Sequence, residues 1–119
     1  MYAASIATNS SPQRTDAKSI AKGVEAFKSA SGCRIILAGG YSQGAAVMHN
    51  VVGKSLDASL KSKIAGVALF GSTRNKQDGG HIPNFAQERS KTWCNKNDGV
   101  CGGGLNVNAG HLSYNKGQI

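Results

Sequence analysis

Arg34-Ile35-Ile36-Leu37-Ala38-Gly39-Gly40-Tyr41-Ser42-Gln43-Gly44-Ala45-Ala46 is the stretch that decides the fold. Its first part, Ile35 to Ala38, is a short apolar run led by two β-branched residues, and it predicts a buried, parallel strand. Gly39 to Gly44 predicts a sharp turn, and Ala45 to Val52 a helix rich in small residues. Inside the turn, Gly40-Tyr41-Ser42-Gln43-Gly44 matches Gly-x-Ser-x-Gly. A serine held at such a strand-to-helix turn projects its hydroxyl above the sheet. Its neighbours must be small, because the turn brings backbone segments very close. The N-terminus of the following helix favours a developing negative charge, and the Gln43 N–H is placed as an oxyanion-hole donor. Without that strand and helix, the same five residues read as a Gly-rich turn that happens to contain serine.

Upstream, Ala17, Ile20, Ala21, Val24 and Phe27 recur at helical spacing. They predict an amphipathic helix from about Asp16 to Ala30, with Lys18, Lys22, Glu25 and Lys28 toward solvent. Thr15 or Asp16 caps it, and Gly32 ends it. Downstream, Asp57 to Lys63 predicts a short helix, and Ile64 to Phe70 a second buried strand closed by Gly71. The order helix, strand, helix, helix, strand marks an α/β fold with a parallel sheet sandwiched by helices. After Phe70 the chain is irregular. Asn75 to Pro83 reads as a loop and Lys91 to Cys94 as a third short strand. Asn95 to Gly110 is a Gly- and Asn-rich loop interrupted by Leu105 and Val107. The segment after it is too short to assign.

The 119 residues suit one domain, and 39% apolar with 17% charged residues is ordinary globular composition. The net charge of +8 comes from dispersed Lys and Arg, with no run of like charge and no alternation with aromatics. That pattern is a solvated basic surface, which argues against nucleic acid as a partner. No stretch has the length and apolarity to cross a bilayer, and Met1 to Ser11 lacks the pattern of a signal peptide. Of the three cysteines, Cys94 and Cys101 are separated by six residues and suit a small disulfide loop, which leaves Cys33 as a free thiol. Because Cys33 precedes a strand read as buried, it is expected to be poorly reactive. The histidines have no ligand spacing to the cysteines, so no metal or other cofactor is expected.

A serine nucleophile needs a base and an orienting acid, and at this kind of turn they follow it in the order Ser, acid, His. His49 falls within the helix after the turn and reads as a surface residue. His81 sits too early in the chain. His111 comes last, as the base should. Asp98 is the only acid between Glu88 and the C-terminus, inside the Cys94 to Cys101 span. A disulfide there stiffens the loop that carries it, contributing roughly 2–3 kcal/mol in the chain-entropy model. Asn97-Asp98-Gly99 is equally a good turn sequence, so the residue pattern alone leaves both roles open.

Several of these stretches together resemble the fungal cutinase family. They are Ala38 to Ala46, Lys63 to Gly71, Thr73-Arg74-Asn75, Ile82-Pro83-Asn84-Phe85, Cys94 to Cys101, and His111-Leu112-Ser113-Tyr114. The resemblance runs from about Tyr2 to Tyr114. It implies a cutinase-like α/β-hydrolase with Ser42 as nucleophile, His111 as general base and acid, and Asp98 orienting the imidazole. It also implies Gln43 as an oxyanion donor, and Tyr41, Leu105 and Val107 as substrate contacts. The implied substrates are cutin polyester and short acyl esters, for a secreted enzyme that is monomeric in the full-length family. An acetylxylan esterase is the runner-up, and a catalytically weak remnant acting as a binding protein is an alternative of another class.

Cutinases are longer than this chain. They have strands before the helix at Asp16 and a helix after the catalytic His. The upstream part holds the family's second oxyanion donor and the cysteine that pairs with the equivalent of Cys33. The resemblance therefore implies a single domain over residues 1–119 with an incomplete sheet, poorly stable as it stands. Gly110 occupies a position where the family usually has Pro, which implies a looser loop before His111.

Overall fold

The computed structural model describes residues 17–102 and 107–114. Thr15, Asp16 and Leu105 lie outside the described residues. The first helix, α1, is Ala17–Ser29. It buries Ser19, Gly23 and Phe27, with Ile20 and Val24 packed beside them. Ala17 and Ala21, expected on that face, are exposed. The inner stripe follows Ser19, Gly23 and Phe27 at four-residue spacing, and its small members let α1 lie close against the helix that follows the serine turn.

Strand β1 is Ile36–Tyr41, helix α2 is Gln43–Asn50, α3 is Ala58–Ser62, β2 is Ile64–Phe70 and β3 is Ser90–Trp93. A single π-helical turn, Val51–Ser55, prolongs α2. Asp57 caps α3 by accepting the Leu60 N–H at 2.9 Å. The three strands are parallel, in the order β1-β2-β3. The α/β reading is the observed fold. Several boundaries move. β1 runs on through Gly39 and Gly40, because pairing Gly39 with Ala68, Gly40 with Leu69 and Tyr41 with Phe70 keeps those residues extended. The turn is thereby compressed to Ser42 alone, and α2 starts at Gln43 rather than Ala45. β3 sits one residue earlier than expected, and its Ser90 pairs with Val67.

The core forms where α1 and α2 cover one face of the sheet. Phe27, Ile36, Ala45, Val47, Met48, Val51, Val52, Leu56, Leu60, Ile64, Val67, Leu69 and Ile82 make one cluster. Ile35 and Leu37 were expected to be buried but are 68% and 76% exposed. Among the described residues β1 has a strand on only one side. The other face beside Leu37, Gly66 and Ala68 is an open groove rimmed by Arg89 and Lys91. An edge strand with a bare apolar face is a pairing site for another chain.

His49 is the other departure. It is fully buried on α2 rather than solvent-facing. Its Nδ1 lies 2.7 Å from Asp78 Oδ2, and Arg74 donates to Asp78 Oδ1 at 3.1 Å, so the loop after β2 is clamped onto α2. Burial pushes the imidazole below the ordinary value of 6.5, outweighing the opposite pull of the Asp78 hydrogen bond and charge. The folded state therefore binds fewer protons at His49 than the unfolded state does. That contribution is complete above the unfolded pKa of about 6.5 and is lost as pH falls below it. Burial pushes Asp78 up, but its hydrogen bonds from Arg74 and His49 more than offset this and hold it below the usual 3.8, so its own loss comes only in stronger acid. The thermal midpoint is expected to fall between about pH 7 and about pH 5, and to fall less in His49→Gln. Equal slopes for the two proteins over that range would assign the acid sensitivity to other groups.

Candidate active site

Ser42 stands alone between β1 and α2 with φ 59° and ψ −119°. A non-glycine residue in that region is strained, and here the surroundings impose it. The Ser42 N–H is held by the Phe70 carbonyl at 2.8 Å, while its own carbonyl already accepts from Ala46 in the first turn of α2. The small neighbours are needed: a Cβ on Gly40 would sit 2.8 Å from the backbone of Ala45. Gln43 opens α2, so its N–H is one of the free donors at that helix N-terminus.

The Ser42 Oγ lies 2.9 Å from His111 Nε2, across 69 positions of sequence. His111 Nδ1 lies 2.9 Å and 3.1 Å from the two oxygens of Asp98. An ionised carboxylate only accepts, so Nδ1 carries the proton and Nε2 is left to accept the serine hydroxyl. Burial pushes the Asp98 carboxyl up. Hydrogen bonds from Tyr114, His111 and the N–H groups of Val100 and Cys101 outweigh this and hold it below the usual 3.8. The His111 and Asp98 side chains are almost wholly buried, at 2% and 0% exposure.

Asp98 both closes a turn and faces His111. Its Oδ1 accepts the Val100 N–H at 2.7 Å and the Cys101 N–H at 3.3 Å, closing the turn, and both its oxygens face His111. Cys94 and Cys101 are joined in a disulfide around it. Cys33 is a free thiol but is exposed, against the expectation of a shielded one, because the segment before β1 runs over the surface. Titration with a coloured thiol reagent is expected to find about one thiol per chain without denaturant, and no more after unfolding. A count of three would mean that the loop carrying Asp98 is not cross-linked.

Further residues, missed in the sequence reading, join the site. Asn95 Nδ2 donates to the Gly110 carbonyl at 2.7 Å and to Ser113 Oγ at 3.1 Å. Asn108 Oδ1 accepts the N–H groups of Gly99 at 3.2 Å and His111 at 3.1 Å. The disulfide loop and the histidine loop are thus tied together on both sides of Gly110. Gly71, at φ +59°, passes directly behind the acid–base pair. The Tyr41 hydroxyl donates to the His111 carbonyl at 2.7 Å, and its half-exposed ring stacks on the imidazole at 5.1 Å. Tyr114 donates to Asp98 Oδ2 at 2.5 Å. The signals were there in Tyr114, three residues after His111, and in the asparagines flanking Asp98, but a polar loop residue does not announce its partner. Of the expected substrate contacts, Tyr41 lines the site and Val107 is exposed on the loop before His111. Among the described residues no group of three or more His, Cys, Asp or Glu is arranged to hold a metal ion.

A parallel sheet with the serine turn at the end of β1 and helices packed on it defines an α/β-hydrolase fold. The family model for cutinase matches residues 1–118. The chain belongs to the cutinase family. It is 44% identical to cutinase 3 of Emericella nidulans over 95% of this chain and 52% of that protein. It is 45% identical to probable cutinase 1 of Aspergillus niger over 95% of this chain and 44% of that one. The chain thus spans about half the length of the curated relatives it matches. Among solved structures, a Trichoderma reesei cutinase in complex with a phosphonate inhibitor superposes with a TM-score of 0.69 at 34% identity, covering 80% of this chain and 43% of that one. A cutinase-like protein from Cryptococcus sp. shares the fold, with a TM-score of 0.67 at 21% identity over 82% of this chain and 62% of that one.

Proposed function

We propose that the chain carries the catalytic centre of a cutinase-like carboxylic ester hydrolase that works through an acyl-enzyme on Ser42. The observation that carries this reading is the 2.9 Å approach of His111 Nε2 to the Oγ of a serine held at positive φ. As Oγ attacks the ester carbonyl, its proton passes to Nε2, and the imidazolium is stabilised by Asp98. The oxyanion of the tetrahedral intermediate meets the Gln43 N–H at the start of α2. Collapse breaks the ester C–O bond, and His111 returns the proton to the leaving alcohol. Water, activated by the same nitrogen, then releases the acid and frees Ser42.

Tyr41, Leu105 and Val107 are the proposed acyl contacts. The exposure of Tyr41 and Val107 fits a shallow site that meets a polymer such as cutin or a short-chain ester at the surface. Secretion is proposed with it, because a structural disulfide is at home in an oxidising compartment. Among the described residues no helix is long and apolar enough to cross a membrane. The test is exposure to a fluorophosphonate followed by peptide mass analysis, alongside turnover of p-nitrophenyl butyrate. One phosphonate on the peptide containing Ser42, with loss of turnover, is expected. A reagent that labels another residue, or none, sinks the proposal.

A further inference from the structure

We infer that Tyr114 is a positioning residue of the Ser42, His111 and Asp98 constellation, with its hydroxyl setting both the orientation and the basicity of the Asp98 carboxylate. The inference rests on the esterase reading above and deepens it. Tyr114 is buried, and its oxygen accepts the Asn95 N–H at 2.9 Å. An N–H can only donate, so the one phenolic proton is free to point at Asp98 Oδ2, 2.5 Å away. The nearby Cys101 Sγ, at 3.7 Å, belongs to the disulfide and has no proton to offer.

Oδ2 also faces His111 Nδ1 at 2.9 Å, while Oδ1 takes the N–H groups of Val100 and Cys101. Each oxygen is thus anchored by a group other than His111, and rotation about the Cβ–Cγ bond would break those bonds. The Tyr114 ring is itself wedged edge-on against Phe70, Tyr41 and His111. Burial and the bond to Asp98 both push its phenol well above the usual 10, so it stays a donor through the working range of pH.

Charge follows from the same geometry. A proton donated to Oδ2 draws electron density from the oxygen that faces the imidazole. Removing that donor makes Asp98 a stronger acceptor of the imidazole N–H and so favours the protonated ring formed during the reaction. Among the described residues the ionisable side chains in contact with the imidazole are Asp98, Tyr41 and Tyr114, and only Tyr114 loses its hydroxyl in Tyr114→Phe.

The experiment is the pH profile of kcat/KM for p-nitrophenyl butyrate, with competent sites counted by fluorophosphonate titration. Tyr114→Phe keeps the wedge and deletes the hydroxyl. Its kcat per titrated site should fall about tenfold, as expected for losing a hydrogen bond to a charged group, with KM little changed. The acid limb should move to higher pH. Replacing Tyr114 with 3-fluorotyrosine preserves every bond while making the phenol a stronger donor, and should move the acid limb the other way. That second protein keeps the test open if Tyr114→Phe does not fold. Acid limbs that coincide with the parent's reduce Tyr114 to a packing residue and overturn the inference, whatever the size of kcat. A parent that neither labels at Ser42 nor turns over removes the esterase reading itself, a distinct outcome.

Discussion

Ser42→Ala is expected to lower turnover of p-nitrophenyl butyrate by a factor on the order of 10⁴–10⁶ while leaving the fold intact. Ser42 combines positive φ, a helix N-terminus behind it and an imidazole nitrogen 2.9 Å from its oxygen. His111→Ala should cost about as much, and the double variant little more than either, because in the proposed mechanism the residues act as one unit. Asp98→Asn should cost about 10⁴-fold. An amide can present its NH₂ to Nδ1 and hold the imidazole in the wrong tautomer, with Nε2 protonated and unable to accept from serine. The test is turnover per folded chain for each variant, with folding followed by circular dichroism. A Ser42→Ala protein retaining a tenth of parental activity, or single losses that simply multiply in the double variant, would place the chemistry elsewhere.

Gly71→Ala should also be damaging, by about 10²-fold, although the residue takes no part in the proposed chemistry. A Cβ there would lie 2.9 Å from both Asp98 Oδ2 and His111 Nδ1, and 3.0 Å from His111 Cε1. The backbone has little room to retreat, because the Gly71 N–H is held by the Trp93 carbonyl at 2.9 Å at the end of the sheet. The new methyl would therefore push the acid and base apart or away from Ser42. A displacement approaching 1 Å costs about 10²-fold in rate. An alanine at φ +59° is also strained, by about 1 kcal/mol or more. Turnover should fall with little change in KM, and the thermal midpoint should drop modestly. Full activity in this variant would show that the loop carrying Asp98 and His111 moves freely against the sheet, contrary to the asparagine ties described above.

Local sequence determined the α/β fold class, because Ile35 to Ala38 and Ile64 to Phe70 carry strand composition and alternate with helical spacings. It also picked out the catalytic candidates. Ser42 followed from small residues between a strand and a helix. His111 followed from chain order, whereas Asp98 stayed open between turn and acid until the resemblance to cutinases implied its role. Those inferences rest on short-range pattern, which a linear chain displays. What depended on distant partners stayed hidden. His49 reads as a surface residue until Asp78, 29 positions away, supplies the hydrogen bond that helps hold it inside. Ile35 and Leu37 read as buried until the sheet order leaves β1 at an edge. Gly71 reads only as the end of a strand, yet its missing side chain leaves room for the pair 27 and 40 positions further on. Asn95 reads as a loop residue and Tyr114 falls in a segment too short to assign, and only folding sets the Tyr114 hydroxyl between the Asn95 N–H and Asp98. Tertiary structure decides such roles because a hydrogen bond or a steric gap is a property of two surfaces in contact, and neither residue carries a record of the other.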